Sequence, residues 1–111
     1  MRRRGSQTQA VLRALAEPRR VDILNVIRSR ELRAGEIARH FRTTRSAISQ
    51  HLRVLTKAGL LSQRRRGTRR LYRIRPEGFG QLRAFIEMFW DVKLDRMKRE
   101  AEQEARRRGG R

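Results

Sequence analysis

The chain has 111 residues, enough for one small domain with a single core. Thirty basic against eleven acidic side chains give a formal net charge of +19, which calls for a polyanionic partner: nucleic acid, an anionic membrane surface or an acidic protein. The absence of cysteine excludes disulfides, thiolate metal sites and thiol redox switching, and no apolar run approaches the ~20 residues that span a bilayer.

Residues 1–6 read as a flexible basic arm. Their Met-Arg-Arg-Arg-Gly-Ser start resembles the basic end of a signal peptide, but no continuous apolar stretch follows, so a cytoplasmic location is expected. Residues 7–105 then form the domain. The first helix is expected over Gln7–Ala16, with Val11, Leu12 and Leu15 on one face. Glu17-Pro18 breaks it, since the residue before proline avoids helical geometry while proline suits a helix first turn. A second helix, Arg19–Arg28, sets Val21, Leu24 and Ile27 at helical spacing with Ile23 beside them.

A short third helix, AGEIARHF (34–41), buries Ile37, Ala38 and Phe41. After the break Arg42-Thr43-Thr44, a fourth helix reads RSAISQHLRVLTKAG (45–59). Thr44 suits its N-cap, Ala47, Ile48, Leu52 and Leu55 turn inward, and Gly59 ends it. The segment LLSQRRRGTRRLYRIR (60–75) is a hairpin turning at Gly67-Thr68, with Tyr72 and Ile74 alternating with Arg73 and Arg75. Pro76 opens a long final helix to about Arg106, carrying Phe79, Leu82, Phe85, Ile86, Phe89, Trp90, Leu94 and Met97. Residues 106–111 are expected to be a disordered basic tail. The expected fold is mainly α: a winged helix-turn-helix of about five helices with a two-stranded β-hairpin as wing.

Charge is concentrated on the reading head. Residues 30–75 carry fourteen basic and two acidic side chains, whereas residues 76–111 carry nine and seven. A helix pair with a tight turn lets its second helix enter a major groove, and a basic hairpin beside it can clamp the flanking backbone. The outward positions Arg45, Ser46, Ser49 and Gln50 are base-reading candidates: arginine matches guanine O6 and N7, and glutamine matches adenine N6 and N7. Thr43, Thr44 and Arg53 are placed for phosphate, as is Ser46, and Arg45 suits phosphate as well as a base edge. On the hairpin, Arg64, Arg65, Arg66, Arg69 and Arg70 straddle the tip. Seven arginines in twelve residues with no acid would repel one another without an anion, so phosphate or minor-groove contact is expected. The aromatics of the final helix lie on an apolar stripe apart from the basic patch, unlike an RNA stacking platform. The densest arginines lie on a hairpin, unlike a membrane-surface helix.

The segments ALAEPRRVDILNVI (14–27), ELRAGEIARHF (31–41), SAISQHLRVLTKAGLL (46–61) and RRRGTRRLYRI (64–74) resemble the arsenic-repressor-like (ArsR/SmtB) family of bacterial regulators. The resemblance implies a homodimeric winged-helix regulator, usually a repressor, binding double-stranded DNA at a palindromic operator through two recognition helices. It places the first and last helices at the dimer interface, with Leu12, Leu15, Leu82, Phe85, Ile86, Phe89 and Trp90 as candidates. The breadth of the final helix's apolar stripe points the same way.

Family metal chemistry is not expected. Where many relatives carry a Cys-x-Cys pair, this chain has Arg33 and Gly35, and its final helix has Asp91 and Asp95 but no histidine. Asp91 and Asp95, beside Lys93, Arg96, Lys98 and Arg99, read as helix-surface ion pairs. No cofactor is expected, no constellation of residues suggests an enzyme, and a small-molecule effector is left open. The alternative function is a sequence-indifferent, nucleoid-type DNA-binding protein, with which the net charge alone is compatible.

Overall fold

The computed structural model describes the backbone of residues 4–109 and the side chains at 7–90 and 94–109. The elements follow in the order α1 (Arg4–Leu15), α2 (Pro18–Ile27), β1 (Leu32–Arg33), α3 (Ala34–Ala38), α4 (Arg45–Lys57), β2 (Leu61–Arg66), β3 (Arg69–Ile74), a 3₁₀ turn (Pro76–Phe79) and α5 (Gly80–Gly109). This is a winged helix-turn-helix architecture, as expected, with one strand more than expected. Strand β1 pairs antiparallel with β3 (Leu32 with Tyr72, Arg33 with Leu71), so the wing is the outer part of a three-stranded sheet ordered β1-β3-β2. Two residues are too few to show a period of their own; this strand exists because β3 offers it an edge.

The buried core is drawn from α1 to α4, β1 and the start of β2: Val11, Ala14, Ile23, Ile27, Leu32, Ile37, Ile48, Leu52, Leu55, Leu60 and Leu61. Burial of such aliphatic groups, at about 25 cal/mol per Å² of apolar surface, is what holds the short helices in place. Helix ends are secured locally. The Glu17 carboxylate accepts from the Arg19 amide and Pro18 occupies the first helical position of α2. The Thr44 Oγ1 accepts from the Ala47 amide at 3.0 Å, capping α4 as its sequence predicts. At the other end of α4, Gly59 adopts φ +84°, and the Leu60 and Gly59 amides reach back to the carbonyls of Leu55 and Thr56.

Two expected boundaries move within the domain. Helix α3 stops at Ala38 rather than Phe41, so the turn before α4 runs from Arg39 to Thr44. Arg42 therefore closes no helix, and no non-glycine residue among those described has positive φ. Phe41 still packs against the core and lies under the Arg19 guanidinium, 4.9 Å from its ring centroid. Pro76 opens a 3₁₀ turn, and α5 proper begins at Gly80.

The ends of the domain are also more helical than the basic-arm and tail expectations. Helix α1 already begins at Arg4, since nothing from there to Leu15 interrupts a helix; residues 1–3 lie outside the described residues. Of the tail expected at 106–111, the part through Gly109 continues α5, and residues 110 and 111 lie outside the described residues. That end is rich in good helix formers. Arg108 pairs with Glu104 one turn back, and Arg106, Arg107 and Arg108 suit the negative end of the helix dipole.

Arg20 ties three helices together. Its Nε donates to the Ala14 carbonyl at 2.6 Å and its Nη2 to the Arg13 carbonyl at 3.2 Å, while Nη1 lies 3.5 Å from His51 Nδ1 on α4.

Candidate nucleic-acid interface

Helix α4 is strongly two-faced. Ile48, Leu52 and Leu55 are fully buried, while Arg45, Ser46, Gln50 and Arg53 are exposed and Ser49 is half-buried. Thr43 and Thr44 are exposed at its amino end, where free amides add to the pull on an anion. Two grooves flank the helix on its wing side. One, of about 480 Å³, is lined by residues including Arg33, Arg39, Arg45, Ser49, Arg69 and Arg70. The other, of about 420 Å³, is lined by residues including Ser49, Arg53, Lys57, Gln63 and Arg70. Ser49, Arg70 and Tyr72 line both, so these residues stand where the reading helix faces the wing.

The β2–β3 register sorts the wing arginines. Arg64 lies opposite Leu71, Arg65 opposite Arg70 and Arg66 opposite Arg69 across the turn at Gly67-Thr68. Because side chains alternate along a strand, Arg65 and Arg70 share the face that carries Leu61 and Ile74 into the core. Arg64, Arg66 and Arg69 belong to the other face. Strand β1 ends at Arg33, leaving β3 beyond Leu71 with an open edge, where Arg69 and Arg70 reach the first groove. Gly67, with φ +65°, gives the two-residue turn the left-handed first position that a type II′ hairpin requires.

Ion pairing sorts them again. Residues 30–75 contain two acids, and an arginine engages each. Glu36 accepts from the Arg33 amide at 2.9 Å and from Arg33 Nε at 3.1 Å, closing the amino end of α3. Glu31 takes a bidentate grip from Arg64, with Nε and Nη2 each at 2.7 Å. Both carboxyls are held below the usual glutamate range, Glu36 chiefly by the Arg33 amide and Glu31 chiefly by the Arg64 hydrogen bond. Arg64 is correspondingly raised by Glu31. Arg73 Nε donates to Ser62 Oγ at 3.2 Å. By contrast, Arg45, Arg53, Arg65, Arg66, Arg69 and Arg70 have no ion-pair partner among the described residues. These six arginines lie on the exposed face of α4 and around the wing tip.

The positions that correspond to the family's metal cysteines serve other ends. Arg33 is paired with Glu36, and the Arg45 guanidinium lies over Gly35, with Cζ 3.8 Å from where a Cβ would stand. The Asp91 side chain lies outside the described residues; the backbone carbonyl of Asp95, rather than its carboxylate, accepts from Arg99 Nε at 3.4 Å. The ion pairs seen on α5 are instead Arg83 with Glu87 and Arg108 with Glu104. His40 is exposed, and His51 is half-buried beside Arg20.

The interface candidates on the end helices divide in two. Leu15 and Leu82 pack against the core. Leu12, Phe85, Ile86, Phe89 and Trp90 are exposed, the last two by 59 % and 58 %, and the Phe85 and Phe89 rings meet edge-on at 5.0 Å. Met88, Leu94 and Met97, also on α5, are exposed as well. Sequence reasoning passed over Glu31 and Arg20. One of only two acids in a basic stretch was a visible signal for the first; the second carried no signal, because its partners are carbonyls and one distant histidine.

Residues 17–63 match the model of the bacterial regulatory protein family arsR. The chain is 42% identical over 77 residues to the HTH-type transcriptional regulator Rv2034 of Mycobacterium tuberculosis, covering 69% of this chain and 72% of that one. It is 37% identical over 57 residues to the transcriptional repressor SdpR of Bacillus subtilis, covering 51% and 63%. Among solved structures, a homodimeric winged helix-turn-helix DNA-binding domain from Mycobacterium bovis superposes with a TM-score of 0.62 at 34% identity, covering 77% of this chain and 79% of that one.

Proposed function

The chain belongs to the arsR family of bacterial regulatory proteins, and from that premise we propose a sequence-specific, double-stranded DNA-binding repressor that works as a homodimer in the cytoplasm. The observation that carries this reading is the collection of unpaired arginines around the exposed face of α4 and the wing tip, next to the polar pair Ser49 and Gln50. Pure backbone binding needs only the arginines, whereas Ser49 and Gln50, which can also bond phosphate, add the donors and acceptors that match base edges. Base reading falls to Arg45, Ser46, Ser49 and Gln50. Phosphate or minor-groove contact falls to Thr43, Thr44, Arg53, Arg65, Arg66, Arg69 and Arg70.

The exposed stripe on α1 and α5 supports the homodimer, as does the homodimeric state of the Mycobacterium bovis neighbour. A two-fold pair would set its recognition helices about 34 Å apart and ask for a palindromic operator. Repression is supported by the function of the relative from Bacillus subtilis. A dimer covering a promoter blocks polymerase without needing a further activating surface.

The test is selection of bound duplexes from a random pool, followed by anisotropy titration of the selected duplex and a shuffled control at about 150 mM salt. A preference of about 10³-fold or more for a palindromic sequence is expected. Equal affinities that collapse together with salt would replace this reading with the nucleoid-type one.

A further inference from the structure

We propose that Glu31 is a positioning residue for the wing, and that its pair with Arg64 is a brace rather than a DNA contact; the inference rests on the DNA-binding function proposed above. Glu31 stands just before β1, and Arg64 stands on β2, at the far side of a sheet ordered β1-β3-β2. The two hydrogen bonds of 2.7 Å therefore reach across β3 and fasten the segment after α2 to the outer strand of the wing. Alternation places both side chains on the same face: Leu32 is buried, so Glu31 points the other way, and Arg64 lies opposite in alternation to Leu61, the residue that β2 sends into the core.

The location of the brace explains why one is needed. Immediately beyond Arg64, two like-charged pairs lie directly opposite each other, Arg65 with Arg70 and Arg66 with Arg69. Like charges at opposed positions push strands apart, and there β1 has already ended. The ladder between β2 and β3 holds the tip alone. A bidentate carboxylate–guanidinium pair at the root of that repulsive cluster fixes the angle at which Arg70 meets the groove beside Ser49. Arg64 is thereby withdrawn from the set of cations open to phosphate.

This assignment opposes plain electrostatics. Removing an acid from a DNA-binding surface strengthens binding to every duplex if charge is all that matters. If Glu31 is a brace, Glu31→Gln weakens binding to the selected duplex by about fivefold despite the added net positive charge. The swap Glu31→Arg with Arg64→Glu, which keeps net charge, recovers most of the loss. Arg64→Gln leaves the slope of log affinity against log salt unchanged, whereas loss of a phosphate contact would reduce it by about 0.9.

A second arm needs no DNA. Hydrogen exchange of the wing amides in the free full-length chain is expected to speed up about fivefold in Glu31→Gln and to return in the swap. Tighter binding by Glu31→Gln with unchanged wing exchange overturns the brace, as does a slope change in Arg64→Gln. If the wild-type chain binds no duplex, the proposed function falls, while the exchange arm still decides whether the pair holds the wing.

Discussion

Gly78 rests directly on the backbone of Gly59: a Cβ built on Gly78 would overlap the Gly59 carbonyl, and Gly78 is buried there. The contact joins the end of the reading helix α4 to the turn that launches α5. Gly59 itself holds φ +84°, so one glycine serves a left-handed backbone and the other a close approach.

The two glycines therefore differ in tolerance. Gly78→Ala forces the backbone segments apart and is expected to cost about 2 kcal/mol, lowering the melting temperature by about 10 °C. Gly59→Ala meets space but the wrong backbone region, and is expected to cost about 1 kcal/mol. Thermal unfolding followed by circular dichroism ranks them; equal losses would refute the close-contact argument.

At the α4 amino terminus, Thr44→Ala removes the acceptor of the Ala47 amide and is expected to cost about 1 kcal/mol. Thr44→Asp or Thr44→Ser should retain most of that stability in chemical denaturation.

Acid dependence follows from Glu31 and Glu36. Both carboxyls are lowered in the fold, so their contribution to stability is present above the ordinary glutamate range and is lost as pH falls through their folded values. The denaturation midpoint of wild type should exceed that of a Glu31→Gln, Glu36→Gln double variant by a constant amount near neutral pH. The gap should narrow below about pH 4. A gap that instead widened on acidification would refute the assignment.

On DNA, the two residue classes are separable. Arg70→Ala should weaken binding to all sequences and reduce the salt slope by about 0.9. Gln50→Ala should cost about tenfold in discrimination at one base pair and leave binding to the shuffled duplex nearly unchanged. Competition titrations over single-base variants of the selected duplex distinguish these outcomes, and a uniform loss for Gln50→Ala would remove it from the reading set.

For assembly, Phe89→Asp places a charge in the middle of the exposed stripe. Sedimentation velocity is expected to show conversion of a two-chain species to one, with helical content close to that of wild type.

The helices were legible because their signals are local. Val11, Ile23, Ile27, Ile37, Ile48, Leu52 and Leu55 recur at helical spacing and are buried, and Thr44 and Gly59 mark the ends of α4 in the chain itself. What escaped depends on residues distant in sequence. Strand β1 is defined by Leu71 and Tyr72, nearly forty residues later. The necessity of Gly78 comes from a carbonyl nineteen positions earlier, and nothing around Pro76 announces it. The wing arginines were visible as a cluster, but their division into a braced Arg64 and unpaired neighbours needed the register and Glu31. Helix α3 ends at Ala38 because the His40 and Phe41 amides bond three residues back, to the Ile37 and Ala38 carbonyls, a tightening of the last turn that the sequence does not announce.

The thirty-residue α5 presents Phe85, Ile86, Met88, Phe89, Trp90, Leu94 and Met97 largely uncovered on the single chain. A helix in that state is stabilised by mass action, in proportion to how often something occupies its stripe. Under the homodimer proposed above, occupancy of this stripe rises with chain concentration, so the melting temperature of the free protein should rise with concentration as well.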